Sequence, residues 1–503
     1  MEAVSIVDRV GDFETAKQYL RLYEKENERL HGRLQQLVME ISQLRGQDGA
    51  QQLALELAKV QEELANLQRH TFAESSEKRT RDQDASAKER PPQTGHGPRP
   101  QPQLPIQEVL CQLPDEDRAC PSCGNELQEM AGITEDSEQI TIVHRHFVLQ
   151  QIKRQKYRCK CQLGVQTAPG PTKNVPGGRY SLEFAVEVAV SKYADHLPLE
   201  RQRKIMAREG LVVDTQTLWD QIEPLARHLQ PTYDGLRQYV LGSDVIAADE
   251  TWWRLMNEDS SKRWWAWGIA THDAVWYGID PSRSAAAAKR MLSDFAGIVM
   301  CDGYSAYDTV AAANKSVKLV HCWAHARRKF IEAEQAYPVQ AKVALDMIGE
   351  LFVVERELDD PEPLEGDAKQ QAIETRLAVR SERSQPILDR LRSWAHEQMA
   401  LPRSSIRKAI EYMLHYWPGL TAFVHEPLVP LDNNRVERAL RGMVVGRKNH
   451  YGSRSRRGTE VAALFYSLIE TAKLRGVDPR KYLLSAADLS IHHPGAVALH
   501  VAG

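Results

Sequence analysis

The sequence predicts a multidomain protein in which a coiled coil, a zinc ribbon and a helical domain precede an α/β domain that carries a helical insertion. Three observations support this prediction. A heptad pattern opens the chain, two close cysteine pairs follow it, and alternating strand and helix patterns begin near residue 244. The 503 residues are too many for one ordinary hydrophobic core, so several domains are expected.

The bulk composition narrows the class of protein. No apolar run approaches the ~18 residues that suggest a transmembrane helix, and the segment "MEAVSIVDRVGDFETA" lacks the pattern of a secretion signal. Seven unevenly spaced cysteines fit a reducing compartment, so we expect a cytoplasmic protein with no membrane partner. The net charge of −3 gives no indication of a nucleic-acid partner, but basic residues are locally concentrated.

Residues 1–70 are predicted to form a coiled coil. The first heptad seam consists of Leu20, Tyr23, Asn27, Leu30, Leu34, Leu37, Ile41 and Leu44. The polar residue in this seam fixes register and oligomeric state. Residues 45–51 break the phase, and a second seam follows at Leu53, Leu57, Val60, Leu64 and Leu67. Self-association into a homo-oligomer is the favoured interpretation because the first seam is long, and the alternative is a helical hairpin folded on itself.

A linker is predicted over residues 71–106. Its segment "ERPPQTGHGPRPQPQLP" contains six prolines and almost no aliphatic residues. Such a composition lacks the apolar surface that a hydrophobic core requires. We therefore expect this stretch of the chain to be disordered.

Residues 107–175 are predicted to form a zinc ribbon. Its two cysteine pairs are Cys120 with Cys123 and Cys159 with Cys161. Four thiolates suit one tetrahedral Zn²⁺, which would stabilise a domain too small for its own core. The second pair is tighter than usual, and the alternative is four unrelated buried thiols. Cys111 is not expected to be a ligand, and the segment "KRQKYRCK" gives this domain a basic face for DNA.

The next domain, residues 176–240, is predicted to be helical and to resemble a DNA-binding helix-turn-helix. One helix ends near Glu209, and Gly210 permits the turn. Asp214 or Thr215 caps a second helix, which would enter the major groove. The alternative is a plain helical hairpin that packs in the core.

Residues 241–334 show the pattern of an α/β sheet. Three strands joined by turns at 257–262 and 272–273 are followed by a helix, a strand, a helix, a strand and a helix. This β-β-β-α-β-α-β-α order is that of an RNase H-like fold, so the domain is predicted to be catalytic. The remaining segments are a helical insertion (335–430), a return to the catalytic core with a helix for a third carboxylate (431–475) and a C-terminal tail (476–503).

An RNase H-like sheet works by clustering carboxylates that hold two divalent ions against a phosphodiester. Mg²⁺, or Mn²⁺ in its place, suits such oxygen ligands. The expected positions are the first strand, the end of the fourth strand and a late helix, and they hold Asp249 or Glu250, then Asp302, then Glu437. Residues 249 and 250 point to opposite faces of a strand that is apolar on both faces, so the pattern does not choose between them.

The second and third carboxylates each have a structural alternative. Asp302 directly follows the apolar segment "GIVMC", and the alternative is an aspartate that only forms a turn. Asp308 is interpreted as the cap of the following helix. Glu437 is the one acid between Arg435 and Arg457, a stretch with eight Lys and Arg residues. It would hold metal while the cations hold the strand to be cut. The alternative is a capping box with Asn434.

Nine cations are predicted to contact DNA phosphates. They are Arg327, Arg328, Lys329, Arg435, Arg438, Arg441, Arg447, Lys448 and Arg454. For the first three, the alternative is a solvated helix face.

Two further groups of residues lie near the predicted site. Five tryptophans fall between residues 252 and 267. At least one could stack on an unpaired base beside the cleavage site, but core packing is the favoured interpretation. His321, Cys322 and His325 lack a clear fourth ligand, so support of the active site or contact with DNA is favoured over zinc.

Six motifs in register resemble the transposases of the insertion sequence 66 family. They are "ADET", "CDGYSAYD", "HCWAHARRKF", "NNRVERALR", "GRKNHYGSRSRRG" and "LFYSLIETAKLRGVDPRKYL". The resemblance covers nearly the whole chain, with the C-x-C pair as one departure. It implies a DDE catalytic triad, which maps onto Asp249, Asp302 and Glu437. It also implies cut-and-join transposition of DNA that ends in inverted repeats, and two small accessory proteins from the same element.

The expected function is therefore that of a DNA transposase located in the bacterial cytoplasm at the nucleoid. Its partners would be the element ends, the target DNA and further copies of itself. One rival is a nuclease or resolvase on the same fold that cuts without strand transfer. The other is a non-catalytic DNA-binding regulator, against which the acids at all three positions argue.

Overall fold

The computed structural model describes residues 147–158, 165–256, 263–293, 295–398 and 404–499, with a few isolated residues before them. The seams of the predicted coiled coil and the four predicted zinc ligands lie outside these residues. Self-association and zinc binding therefore stay predictions.

A short antiparallel hairpin opens the described part of the chain. Its strands are β1 (Lys156–Arg158) and β2 (Val165–Thr167). Ala168 N donates to Gln155 O at 2.9 Å, which continues the pairing past the strand ends. The hairpin brings together the two segments on either side of residues 159–164.

Three helices form the next layer. They are α1 (Leu182–Tyr193), α2 (Leu199–Arg208) and α3 (Thr215–Leu241). Gly210 has a φ of +86°, a conformation that glycine adopts without steric cost. Asp214 caps α3 by accepting a hydrogen bond from Thr217 N at 2.6 Å. The predicted helix end, glycine turn and Asp214 cap are therefore confirmed.

The long helix α3 buries one side along most of its length, including Leu218, Ile222, Leu225, Leu229 and Leu236. Tyr233 OH on this helix donates to Tyr277 O in the central sheet at 2.6 Å. Much of α3 is therefore core, as the hairpin alternative expects. Its N-terminal end, where Asp214 and Gln216 are exposed, lies outside this packing. Contact with DNA by this end stays a prediction.

Five strands form the central sheet in the spatial order β5-β4-β3-β6-β7. They are β3 (Val245–Arg254), β4 (Arg263–Ala270), β5 (Val275–Asp280), β6 (Gly297–Cys301) and β7 (Val317–His321). The first three pair antiparallel, whereas β6 pairs parallel with both β3 and β7. The alternating helices are α4 (Ala285–Leu292), α5 (Ser305–Ala313) and α6 (Trp323–Glu334). The element order predicted from the sequence is confirmed.

The helical insertion follows α6. Its elements are α7 (Pro338–Arg356), α8 (Gly366–Val379), a π-helical turn (Arg380–Ser384), α9 (Gln385–Glu397), α10 (Ser405–His415), α11 (Trp417–Thr421) and a 3₁₀ turn (Ala422–Val424). Arg380 is fully buried and anchors this insertion. Its guanidinium pairs with Glu355 Oε1 at 2.8 Å and donates to Phe423 O at 2.7 Å. The buried charge is thus compensated, and it ties α7 to the chain that leads back to the sheet.

Three helices complete the chain, namely α12 (Asn434–His450), α13 (Arg456–Leu474) and α14 (Pro479–His492). α13 covers the edge strand β5, where Ser467 Oγ accepts from Tyr277 N at 2.8 Å and Thr471 Oγ1 accepts from Val275 N at 3.1 Å. These hydroxyls accept hydrogen bonds from backbone N–H groups of the edge strand, which could otherwise pair with another chain. No helix of the described residues is long and apolar enough to cross a membrane.

Candidate active site

Two neighbouring acids of β3 lie on opposite faces of the sheet. Arg283 Nη2 donates to Glu250 Oε1 at 2.6 Å, and Tyr307 OH donates to Glu250 Oε2 at 2.8 Å. The Glu250 side chain is fully buried, so this charge is both paired and hydrogen-bonded. Asp249 points the other way, and its Oδ1 accepts from Glu250 N at 2.8 Å. The structure thus shows which face of the sheet each acid occupies, a choice that the sequence pattern left open.

Helix α12 lies across the face of the sheet that carries Asp249. Gly268 on β4 is the cross-strand partner of Asp249. A Cβ at Gly268 would lie 3.2 Å and 3.3 Å from two side chains of α12, so glycine allows this close approach. Asn433, just before α12, donates from Nδ2 to Ala248 O at 3.1 Å. This hydrogen bond therefore holds the start of α12 next to Asp249.

The carboxyl of Asp249 has an unfavourable electrostatic environment. Burial raises its pKa from 3.8 to about 7, and the negative charge of Glu250 acts in the same direction. The charges of Asp302 and Glu437 raise this pKa further. Since electrostatic effects decay with distance, the three predicted carboxylates occupy one region of the protein.

Asp302 follows β6 directly and opens a tight turn. Its Oδ1 accepts a hydrogen bond from Tyr304 N at 2.9 Å. Gly303 has a φ of +90°, which favours glycine. Asp302 therefore does form a turn, as the structural alternative expects. The turn does not exclude ligation, because it does not use Oδ2.

Two tyrosines of the insertion hold this turn. Tyr412 OH donates to Asp302 O at 2.5 Å, and Tyr416 OH donates to Gly303 O at 2.7 Å. A Cβ at Gly303 would lie 2.7 Å from the ring of Tyr416, so the glycine also permits the close approach. The position of the second carboxylate therefore depends on the insertion as well as on β6.

Glu437 lies in the first turn of α12 and directs its carboxylate toward α6. Its Oε1 is 3.5 Å from His325 Nε2, and its Oε2 is 3.8 Å from Arg328 Nη2. The N-cap residue is Asn433, whose side chain makes no capping bond. The capping-box alternative with Asn434 is therefore wrong. Glu437 Oε1 is buried and accepts no hydrogen bond from the described residues.

The donor set of this region fits a hard divalent cation. Among the described residues, no three His, Cys, Asp or Glu side chains are already arranged to hold a metal ion. Carboxylates that repel one another are expected to stay apart without a cation. The raised pKa of Asp249 and the buried Oε1 of Glu437 both cost free energy, which a bound cation would recover. Carboxylate oxygens are also the ligands that Mg²⁺ and Mn²⁺ prefer.

Comparison with known proteins places the chain in a family. A family model described as "Transposase IS66 family" matches residues 177–461, more than half of the chain. The chain belongs to the IS66 family of transposases. Membership supports a transposase role and implies DNA as a partner. It also confirms the resemblance, and five of the six sequence motifs lie within the matched residues.

Curated relatives of this IS66 transposase occur in Sinorhizobium fredii (strain NBRC 101917 / NGR234). Uncharacterized protein y4jD is 33% identical over 402 residues, which span 76% of each chain. Uncharacterized protein y4hP is 30% identical over 406 residues, which span 75% of this chain and 71% of the relative. The similarity extends beyond the segment that the family model matches.

The predicted DNA-contacting cations of α12 and the turn after it fall into two groups. The exposed group consists of Arg438, Arg441, Lys448 and Arg454. The first three are spaced three and seven residues apart, so they lie on one face of α12. This placement suits contact with a phosphate backbone, and the contact itself stays a prediction.

Two other cations that were predicted to contact DNA instead pair with groups of the protein itself. Arg435 forms ion pairs with Asp360 and Glu362 of the insertion. Arg447 is buried, and its Nη1 donates to Thr251 Oγ1 at 3.1 Å. The expectation of solvent-facing cations rested on their basic neighbourhood, whereas the partners of Arg435 and Arg447 are more than 70 residues away in the chain. These two arginines support the architecture of the site.

The three predicted DNA-contacting cations of α6 also differ in their surroundings. Arg328 lies in the candidate site because it approaches Glu437. Lys329 Nζ is 3.7 Å from Glu332 Oε2 on the same helix, an exposed pair that contributes little to stability. Arg327 is half-exposed. Phosphate contact by these three cations stays a prediction.

His321, Cys322 and His325 point in different directions and form no metal site. The His321 ring packs on Tyr416 with 4.2 Å between centroids, and burial lowers its pKa to about 4. Cys322 Sγ accepts a hydrogen bond from Asn433 N at 3.1 Å. His325 approaches the third carboxylate. Each residue contacts a different part of the carboxylate region, and a role in supporting the active site or contacting DNA stays a prediction.

Sequence reasoning missed several residues that position the carboxylates. Asn433 carried a signal, because a polar doublet directly precedes the helix with Glu437. Tyr412 and Tyr416 lie four residues apart and therefore share a helix face. No local pattern connects Tyr412 with Asp302, which is 110 residues away.

Proposed function

We propose that this IS66 transposase binds the terminal inverted repeats of an insertion sequence, cleaves the DNA at its ends and joins those ends to target DNA. The proposal rests on the shared location of Asp249, Asp302 and Glu437, since β6 pairs beside β3 and Asn433 at the start of α12 bonds Ala248 O. These acids come from the first strand, the end of the fourth strand and a late helix, as DDE chemistry on an RNase H-like domain requires. The mixed sheet order supports the same assignment.

The three carboxylates would hold Mg²⁺ or Mn²⁺. Two such ions supply a water molecule of lowered pKa and stabilise charge on the scissile phosphodiester. Asp249 gives up a proton to become a ligand, because its raised pKa keeps part of the population protonated near neutral pH. Asp302 offers the oxygen that its turn does not use, and Glu437 offers its buried Oε1.

The cations of this region hold the DNA. Arg438, Arg441 and Lys448 form an exposed face on the helix that carries Glu437, where they bind backbone phosphates. Arg328, which is 3.8 Å from Glu437, stabilises charge that develops at the scissile phosphate. A lone acid in a basic segment therefore places a metal ligand directly beside a strand of DNA.

The proposal extends to the regions outside the described residues. Cys120, Cys123, Cys159 and Cys161 would hold one structural Zn²⁺. The coiled coil of residues 1–70 would assemble the protein into a homo-oligomer. Two small accessory proteins of the same element would act with it at the bacterial nucleoid.

Glu437→Gln tests the assignment. Glutamine keeps the shape of the side chain but removes the charge that binds metal. The variant should fold, bind DNA with the element's terminal repeats, and lose cleavage by more than about 100-fold, since even indirect support of a metal ligand is worth about 10–100-fold. Thermal melting and Mg²⁺-dependent cleavage are measured on one sample. Glu460→Gln, an exposed acid of α13, is the matched control and should cleave normally.

A folded Glu437→Gln variant that cuts at the wild-type rate would refute the triad. A strand-transfer assay then separates the rival enzymes, because a nuclease or resolvase would cut the ends without joining them to target DNA. A wild-type protein that binds the ends but does not cleave them with Mg²⁺ or Mn²⁺ would favour the non-catalytic regulator.

A further inference from the structure

The distal half of the β3–β4 hairpin exposes an aromatic and cationic surface. Trp252 pairs across the strands with Trp265, and Arg254 pairs with Arg263 two residues further along. Residues two apart on a strand share a face, so these four side chains form one surface, the stacking patch. Trp252 is 40% exposed, whereas its neighbour Trp253 is fully buried. The exposed part of the Trp252 indole, next to two exposed arginines, is accessible to a ligand.

The two indoles of the stacking patch are held in place. The guanidinium carbon of Arg447 lies 3.8 Å from the ring centroid of Trp252, and that of Arg283 lies 5.0 Å from the ring of Trp265. Both arginines are fixed, since Arg447 donates to Thr251 Oγ1 and Arg283 is paired with Glu250. Rings that are already immobilised lose little conformational entropy when a ligand stacks on them.

The charge around the patch selects the class of ligand. Arg254 and Arg263 are exposed at its end, and Lys448 is exposed on the helix that supplies Arg447. Flat aromatic rings combined with cations suit a single nucleic-acid strand, in which bases stack on the rings and phosphates pair with the cations.

The position of the patch links it to the candidate active site. Trp252 is three residues beyond Asp249, about 10 Å along the strand, which corresponds to about three stacked nucleotides. β6 pairs with β3 only as far as Ala247, and the segment at Ser453 pairs with β3 from Arg254 on, so the free edge of β3 lies between these two points. Arg447 reaches around this side from α12 to Trp252. By strand alternation Trp252 lies on the sheet face of Glu250, opposite Asp249, so a DNA strand would pass from the carboxylates to the patch around this edge of β3.

We infer that the stacking patch binds an unpaired nucleotide next to the scissile phosphate, with its base on Trp252 and its phosphates on the adjacent arginines. The inference rests on the proposed function and specifies the substrate that this function acts on. It implies that the DNA is locally unpaired when it occupies the site, because a base within a duplex cannot present its face to a side chain.

Affinity for single-stranded DNA tests the inference. A short oligo(dT) strand and a blunt duplex serve as probes for the wild type, Trp252→Ala and Trp252→Phe. Trp252→Ala should bind oligo(dT) about 10- to 100-fold more weakly, the contribution of one stacked base, while duplex affinity changes less than about twofold. Trp252→Phe retains a ring and should keep most of the affinity. Val339→Ala, which alters an apolar side chain on α7 that is 72% exposed, should bind both probes normally.

Three results would overturn the inference: a wild type that does not bind oligo(dT), a Trp252→Ala variant that binds it normally, and an equal loss on strand and duplex. Thermal melting shows whether the variants are folded, and the phenylalanine variant separates loss of stacking from loss of packing. If the wild type cleaves element ends and the Trp252→Ala variant binds oligo(dT) normally, this inference is refuted and the proposed function is not. A wild type that binds oligo(dT) but does not cleave element ends counts against the proposed function alone.

Discussion

Replacing Asp249 with asparagine should stabilise the metal-free protein near neutral pH and abolish its metal-dependent chemistry. Asparagine keeps the size of the side chain and the Oδ1 atom that accepts a hydrogen bond from Glu250 N at 2.8 Å. It removes a charge that is partly buried and close to the charges of Glu250, Asp302 and Glu437. The substitution therefore removes an electrostatic cost while leaving the packing in place.

The magnitude follows from the raised pKa of Asp249. Burial moves this pKa from 3.8 to about 7, so the folded state binds the proton more tightly than the unfolded state. The free energy of unfolding of the wild type therefore falls as pH rises through this window, and the loss is complete above pH 7. About three pH units at about 1.4 kcal/mol each give an upper value of about 4 kcal/mol. We expect about 2 to 4 kcal/mol, because the side chain keeps some contact with water.

Chemical denaturation in EDTA measures this difference. Asp249→Asn should exceed the wild type by about 2 to 4 kcal/mol at pH 8, and the gap should shrink to about a quarter of that near pH 4.5. Mg²⁺ should stabilise the wild type but not the variant, since only the wild type binds it. Asp308→Asn removes an exposed acid of α5 and should change neither quantity. A variant that is no more stable than the wild type at pH 8, or equally stabilised at both pH values, would refute the reasoning.

Three further predictions concern the supports of the site and the regions outside it. Tyr412→Phe removes the hydroxyl bonded to Asp302 O and should weaken Mn²⁺ binding by up to about tenfold in an electron paramagnetic resonance titration. The control is Tyr482→Phe, which removes a hydroxyl bonded to Ala498 O at 2.9 Å and should leave Mn²⁺ binding unchanged. Cys120→Ser should lower the zinc content and weaken end binding in a gel-shift assay, whereas full metal content with normal binding would contradict a zinc ribbon. Deletion of residues 1–70 should lower the mass seen by light scattering, and an unchanged mass would favour an intramolecular hairpin.

The parts of the fold that depend on local chemistry were predictable from the sequence. The change from strand to helix periodicity gave the order of the sheet elements, because alternation of side chains follows directly from strand geometry. Gly210 and Asp214 marked a turn and a cap that the structure confirms, since both act within a few residues of themselves. Asp308 was less well predicted, because α5 begins at Ser305 and this acid lies in its first turn rather than at its cap.

Contacts between distant segments were not predictable. The choice between Asp249 and Glu250 depends on Arg283 and Tyr307, which occupy one face of the sheet, and no pattern around β3 reports them. The inward orientation of Arg447 likewise depends on Thr251, which lies 196 residues earlier in the chain. Basic character alone predicts a cation but not whether its partner is a phosphate or a protein group.

The insertion connects the elements that carry the second and third carboxylates. Tyr412 holds the backbone of Asp302, while Asp360 of the same insertion pairs with Arg435, two residues before Glu437. The separation of Asp302 and Glu437 is thus set by a helical unit that contributes neither of them. Under the proposed two-ion chemistry, which depends on the distance between the ligands, a shift of the insertion would therefore move the ligands of both ions. In this chain the helical insertion that holds both elements is also the segment that connects the second carboxylate to the third in the sequence.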